Sequence, residues 1–492
     1  MEKLYIACDF GARTSRIMLG TLHNHTLTMS ELRRFLTPVI SEKKALQWNL
    51  PELYRETLLA LAEIGRQEAN VAGISCSSWG ADYMLFDSDG ALLTPVFHHA
   101  DPRTGDAMKA VFAKLPAETI YQEAGGPGWA RSTLFQLRAE SSRRLSRNHR
   151  LLPFADGFNH LLGGSCGAEL SAASTTQLFN PVTQTWSNRL MSGLGLPMEL
   201  LPPLVAPGTQ LGALRPDLAK QTSLEDVTVI ASCSNELTAS LAGLPLGHGQ
   251  DWAYLRVGEE SLIGTEVPAP LINPGACELG YTNECSLGGK TNFYKRTPGL
   301  RLYEECRSFW IAQDRELSDD VLMHLATTSA AFECLIDLAD PRFAEPGDMP
   351  LKIQAYCRET GQEVPRKPGQ IIRCVLESLA LEYRKAFQEL EALTGSKFTR
   401  LYLFGGTSNG LLNYFIVNAL QVPAILASPD AAPLGNVLVQ ALALRHLPSL
   451  GEAREILRNS SKPQAIIPHP ASWDQMAERM RELAPNATSP AI

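Results

Sequence analysis

The sequence predicts an α/β protein built as a duplicated pair of domains around one cleft. Three observations carry this reading. The chain has 492 residues, more than a single hydrophobic core accommodates. Strand-like and helix-like segments alternate from its first residues onward. And the plan of the opening segment returns near residue 250, the mark of an internal repeat.

The opening runs LYIACDFG and RIMLGTL flank a polar turn at Ala12-Arg13-Thr14-Ser15; this reads as a β-hairpin with hydroxyl side chains in its loop. Residues 51–69 have helical spacing, with Leu53, Leu58, Leu59, Leu61 and Ile64 able to share a face. The buried-strand run VAGISCSS then leads to Trp79-Gly80-Ala81-Asp82. At 251–266, DWAYLRVGEESLIGTE repeats the strand, Gly-containing turn and strand of the opening. Two such hairpins facing each other would clamp a ligand at the domain junction. The Pro/Gly-rich stretch LAGLPLGHGQ at 241–250 marks the boundary. We therefore expect a first domain at 1–246, a second at 247–450 and a helical cap with a frayed tail at 451–492.

Within the second domain, residues 369–393 form an amphipathic helix, with Ile372, Val375, Leu376, Leu379, Tyr383, Phe387 and Leu390 at three-to-four spacing. The strand FTRLYLF follows, then Gly405-Gly406-Thr407-Ser408-Asn409 and the apolar helix GLLNYFIVNALQ. A strand, a Gly-Gly turn and a helix present free backbone N–H groups, which suits an anion or nucleotide and equally a plain tight turn.

Composition excludes several function classes. A net charge of −8 gives no electrostatic footprint for nucleic acid or an anionic membrane surface. No apolar run approaches the ~20 residues of a membrane span, and MEKLYIACDFG lacks the plan of a signal peptide; the cytoplasm is the expected location. The ten cysteines form no CxxC pair or zinc-spaced cluster, so we expect reduced thiols acting as small hydrophobes.

Nine segments, in order, resemble the FGGY carbohydrate kinases, and the rhamnulokinases among them: DFGARTSR, SSWGADYMLFDSDG, HADPRT, LFQLRAE, AASTTQLFNP, PPLVAPGTQLG, FYKRTPGLRLYEECR, LFGGTSN and PLGNVLVQALAL. They cover residues 1 to about 450. The resemblance implies an actin-like, ribonuclease-H-type duplicated fold, a sugar in the first domain, and ATP with Mg²⁺ between the two. Phosphoryl transfer to a hydroxyl requires a carboxylate near the metal, donors for the phosphates and a base for the hydroxyl proton.

By this resemblance Asp9 is the metal-associated carboxylate. Thr14, Ser15, Arg16, Gly258, Gly405, Gly406 and Asn409 contact the nucleotide. Asp82, Asp101, Arg103, Gln136 and Asn235 line or support the sugar pocket, with Asp82 accepting from sugar hydroxyls. Glu236 stands where the rhamnulokinases carry the aspartate base, and Asn235 where they carry histidine. The chain departs from the family pattern at Glu259-Glu260, in place of a Gly-Thr hairpin, and at Phe404, Ala100, Ser77 and Ala172. Three readings follow: a sugar kinase using Glu236 as base, a non-catalytic homologue that binds a sugar or other small ligand, and a structural or interaction protein that uses only the domain clamp. A homodimer is left open.

Overall fold

The computed structural model describes residues 2–483, apart from 43, 68, 147, 248, 250, 314, 316, 407, 408, 461–463 and 470–472. Each half is organised around one mixed sheet, and the hairpin read from the sequence lies at the centre of each. In the first, β1 (Lys3–Phe10) pairs antiparallel with β2 (Thr14–His23), which pairs with β3 (Thr26–Leu36). On its other side β1 runs parallel to β4 (Val71–Ser78). Beyond β4 lie β6 (Thr228–Ala231), also parallel, and the edge strand β5 (Thr209–Ala213).

The second sheet repeats this order. β7 (Trp252–Val257) pairs antiparallel with β8 (Glu260–Val267), and β8 with β10 (Thr291–Pro298). On the far side β7 is parallel to β11 (Arg400–Gly405), and β11 to β12 (Ala424–Leu426). β9 (Tyr281–Cys285) and β13 (Gln464–Ile466) extend the edges. The duplication is therefore one of topology: antiparallel, antiparallel, parallel, parallel in both halves.

The central strands read as unbroken apolar runs because both faces are covered; from Tyr5 to Phe10 every residue of β1 is buried. Helix α1 (Leu50–Gly65) begins where Asn49 Oδ1 accepts from the Glu52 amide at 3.3 Å. It ends at Gly65, four residues before the expected end, and Leu59 falls on its exposed side while Leu53, Leu61 and Ile64 are buried. Helix α3 (Pro368–Thr394) buries all seven apolar residues read from its spacing and stops at Gly395, whose φ is 65°.

The two halves meet through helices α2 (Glu236–Ala242) and α5 (Ala431–Ala443). Their backbones cross so closely that a Cβ on Gly435 would lie 1.9 Å from the Ala239 carbonyl oxygen, and one on Gly243 would lie 1.9 Å from that of Ala431. Helix α5 also packs on β1 and β4, where Gln440 Nε2 donates to the Ile6 carbonyl at 2.9 Å. Thus a helix from the second half closes the first half's sheet.

The stretch after 450 is not a separate cap. Helix α6 (Leu450–Ser460) returns to the first domain, packing on β3, with Ala453, Ile456 and Leu457 in one cluster with Leu22 and Leu27. Strand β13 and helix α7 (Trp473–Leu483) belong to the second, where α7 packs on α3 and on α4 (Gly410–Leu420). Its position in the chain did not reveal this, because an amphipathic face only declares that it is buried, not against what. The tail at 484–492 lies outside the described residues.

Gly435→Ala places a methyl group where backbone already sits, and overpacking of this kind costs about 1–3 kcal/mol or more. The variant should show a lowered thermal midpoint or fail to accumulate as soluble protein. An unchanged midpoint would contradict the close crossing.

Candidate active site

Asp9 lies near the end of β1, opposite Arg16 on β2. Arg16 donates to Asp9 Oδ2 from Nε at 3.1 Å and from Nη2 at 2.6 Å, and to Asp430 Oδ1 from Nη1 at 2.6 Å. Asp430 immediately precedes α5, so one guanidinium joins the first sheet to the second half of the chain. Burial pushes the Asp9 carboxyl up to about 6; the charge of Glu236 adds to this, and Arg16 opposes it. Asp9 and Glu236, 227 positions apart in the sequence, are therefore electrostatic neighbours at the domain junction.

Glu236 is the first residue of α2. Asn235 caps this helix, its Oδ1 accepting from the Thr238 amide at 3.1 Å. Arg256, on β7 of the second domain, donates to Glu236 Oε1 from Nη2 at 2.9 Å. Three carboxylates, Asp9, Asp430 and Glu236, and two guanidiniums, drawn from both halves, thus form one cluster.

The second hairpin turns at Gly258-Glu259. Glu259 pairs with Arg13 of the first hairpin at 2.6 Å, and Glu260 with Arg296 at 2.7 Å. Exposed pairs of this kind add little stability, but each acidic side chain beside the cleft has a cation next to it. Gly406 donates its amide to the Val257 carbonyl at 2.7 Å, and a Cβ on Gly405, whose φ is 84°, would lie 2.3 Å from that same oxygen. Gly258, Gly405 and Gly406 are therefore adjacent, with backbone approach as the reason for glycine at 405. Phe404 does not occupy a ligand slot. It is buried against Tyr254, with ring centroids 5.8 Å apart. Asn409 caps α4, accepting from the Leu412 amide at 2.9 Å; Thr407 and Ser408 lie outside the described residues.

Several expected contacts are corrected. Ser15 is buried with its hydroxyl on Thr37 at 2.8 Å, and the turn spans 11–13 rather than 12–15, so Ser15 is an interior residue of β2 and not a phosphate donor. Thr14 is the half-buried first residue of β2. Asp82 is 1% exposed, and its oxygens are already taken. Its Oδ2 accepts from Trp48 Nε1 at 2.7 Å, Trp79 Nε1 at 2.8 Å and His99 Nδ1 at 2.9 Å, and its Oδ1 from Gln136 Nε2 at 3.1 Å. It is therefore the hub of a buried cluster, with no oxygen left for a sugar hydroxyl. Burial alone would raise its carboxyl, yet His99 and the two indoles hold it below the usual range.

Gln136, Asp101 and Arg103, also expected on the sugar side, belong to the same cluster. Gln136 is fully buried and also donates to the carbonyls of Ala81 and Arg131. Asp101 accepts from the amides of Leu46 at 2.6 Å and Arg103 at 3.0 Å. Arg103 lies beside Glu140 at 3.1 Å and over the Phe97 ring at 3.6 Å. What Asp82 fixes is an aromatic platform: Trp48 sits 4.4 Å from Trp79 and 4.2 Å from His98, and Trp79 sits 4.6 Å from Phe154. Burial and the neighbouring His99 bring the His98 imidazole down to about 4, so it is neutral at pH 7. Trp48 and His98 were missed in the sequence, where neither lies in a recognisable pattern; His98 directly precedes the HADPRT segment, the one available signal.

Among the described residues, the group of three His, Cys, Asp or Glu side chains compact enough to surround a metal ion is Cys334, Cys357 and Cys374, buried in the second domain's core. The fold brings these three together although their spacing suggests no cluster. All ten cysteines carry free thiols. Among the described residues no helix is long and apolar enough to cross a membrane.

Paired hairpins, a GG turn and a carboxylate cluster at the junction are the parts of a two-domain phosphotransferase. The chain matches the N-terminal domain of the FGGY family of carbohydrate kinases over residues 4–243 and the C-terminal domain over 253–444. It belongs to that family and is a sugar kinase. It is 32% identical to a rhamnulokinase of Bacteroides thetaiotaomicron, covering 96% of this chain and 98% of that protein. A rhamnulokinase of Enterococcus faecalis is 35% identical, with 93% of each covered. Among solved structures, a ligand-bound xylulose kinase from Lactobacillus acidophilus superposes with a TM-score of 0.80 at 17% identity over 99% of both chains. Plasmodium falciparum glycerol kinase with ADP gives 0.78 at 12% identity, over 100% of this chain and 99% of that one.

Asp82→Asn would turn an NH₂ group or lose an acceptor toward three N–H donors, leaving buried groups unpaired. We expect sugar affinity to fall about tenfold or more while ATP affinity holds within a factor of about two, read by calorimetric titration. Equal loss of both affinities would contradict a role confined to the sugar side.

Proposed function

We propose that this kinase transfers the γ-phosphoryl group of ATP to a hydroxyl of a ketose of the rhamnulose class, in the cytoplasm, with Glu236 as general base. The observation that carries the reading is the convergence of Asp9 and Glu236 at the junction, each held by an arginine. The similarity to rhamnulokinases supports the substrate class.

In this reading Glu236 accepts the proton of the attacking hydroxyl at its carboxylate. A glutamate reaches one methylene farther than the aspartate of the family pattern; anchoring by Arg256 and by the start of α2 defines where that longer arm ends. The aromatic platform on Asp82 takes an apolar face of the sugar, and Gly258, Gly405, Gly406 and Thr14 present the nucleotide side. Asp9 fits a Mg²⁺ ion. It is a hard oxygen donor whose Arg16 contacts both fall on Oδ2, and magnesium is commonly held by one or two carboxylates, with phosphates and water completing its shell. When bound, the ion would neutralise charge on the phosphate oxygens.

The non-catalytic alternative rested on Glu259, Glu260, Phe404 and Asn235-Glu236 in place of the family's His-Asp. Glu259 and Glu260 are paired with Arg13 and Arg296, and Phe404 is core, so the observations favour the enzyme.

Glu236→Gln keeps the shape and removes the base. Turnover in a coupled ATP-consumption assay with a ketose panel should fall about 10²- to 10⁴-fold, with sugar affinity nearly intact. Retained turnover would remove Glu236 from the base role.

A further inference from the structure

Two carboxylates lie inside the first domain directly beneath the turn that carries Glu236. Asp156 and Glu169 are 1% and 0% exposed. Asp156 Oδ1 accepts from Ser234 Oγ at 2.6 Å, and its Oδ2 from the Glu169 amide at 2.9 Å. Glu169 Oε2 accepts from the Ser234 amide at 2.9 Å and from the Ser171 hydroxyl, while its Oε1 accepts from the Ser171 amide at 2.9 Å. The Ser171 hydroxyl oxygen in turn accepts from the Asn235 amide at 3.2 Å. The Ser234 carbonyl is taken by the Ser78 amide at 2.9 Å.

Both backbone amides of the two residues preceding Glu236 are therefore bound by this network. The arrangement is costly. Burial raises both carboxyls, Glu169 to about 7, and the charge of Glu169 adds to the burden on Asp156. A side-chain amide could not meet these donors, because both oxygens of each carboxylate accept. What carboxylates add is strong, directional acceptance from several N–H and O–H donors at once, which makes the turn rigid.

We propose that Asp156, Glu169, Ser171 and Ser234 form a positioning unit that sets where the Glu236 carboxylate stands. They touch neither substrate nor nucleotide and act through the backbone of residues 234–235. The inference rests on Glu236 being the base. Its physical content is that displacing a base by about 1 Å costs on the order of 100-fold in rate. A glutamate on a short helix needs such a fixed root more than a shorter aspartate would.

The test is a kinetic cycle. Ser234→Ala removes one hydroxyl and no charge; Glu169→Gln turns an NH₂ group toward an N–H donor. Each should lower kcat about 10- to 100-fold, with KM for ketose and for ATP within about threefold. Introduced into Glu236→Gln, the same changes should cost less than about twofold more, because residues acting as a unit are not additive. Losses of equal size in both backgrounds, or a parallel fall of kcat and both affinities, would overturn the proposal as a merely structural effect. So would full activity of Ser234→Ala. If Glu236→Gln is itself active, the base assignment fails and the positioning role falls with it. If Glu236→Gln is inactive but Ser234→Ala and Glu169→Gln turn over normally, the positioning unit alone is refuted.

Discussion

The architecture depends on one contact: the crossing of α2 and α5 at Gly243 and Gly435, where two backbones meet with no room for a side chain. Helix α2 begins with Glu236, and α5 is preceded by Asp430, the partner of Arg16. Fixing the crossing thus fixes the distance between the Glu236 carboxylate at the start of one helix and the Asp9–Arg16 pair at the end of the first hairpin. Protein interiors transmit such constraints because they are packed as densely as crystals. A site made from both halves of a duplicated chain needs a rigid reference, and this crossing supplies it.

Around that reference each carboxylate has a guanidinium beside it: Arg16 lies between Asp430 and Asp9, and Arg256 holds Glu236. Farther out, Arg13 faces Glu259 and Arg296 faces Glu260. A hairpin with two glutamates would repel polyphosphate if they stood alone in a dry cleft. Paired, they leave the rim near neutral, and the Arg13–Glu259 contact ties the first hairpin to the second. The same changes that look like losses in one dimension are compensated in three.

This also explains what the sequence could and could not reveal. The duplicated hairpins were legible because strand–turn–strand patterns are local, and helix α3 because its spacing runs over 27 residues. Asp9 and Glu236 were legible as chemical types at family positions. The occupancy of a side chain was not: Asp82 and Ser15 read as ligand contacts because nothing in their neighbourhood announces that Trp48, His99 or Thr37 will fold onto them. Phe404 read as an obstruction because a bulky residue beside a glycine turn does not disclose which face of β11 it takes. The acids beneath the turn before Glu236, Asp156 and Glu169, lie 78 and 65 residues from Ser234; only the fold brings them under it.

The central claim is that nucleotide and sugar meet at the Asp9–Glu236 cluster. Calorimetric titration with ATP–Mg²⁺, alone and with a panel of ketoses, tests it most directly. The account predicts saturable nucleotide binding, and continuing heat from turnover once the right ketose is present. A protein that binds a ketose but no nucleotide would contradict it, and would mark the cleft as a recognition site without phosphoryl transfer.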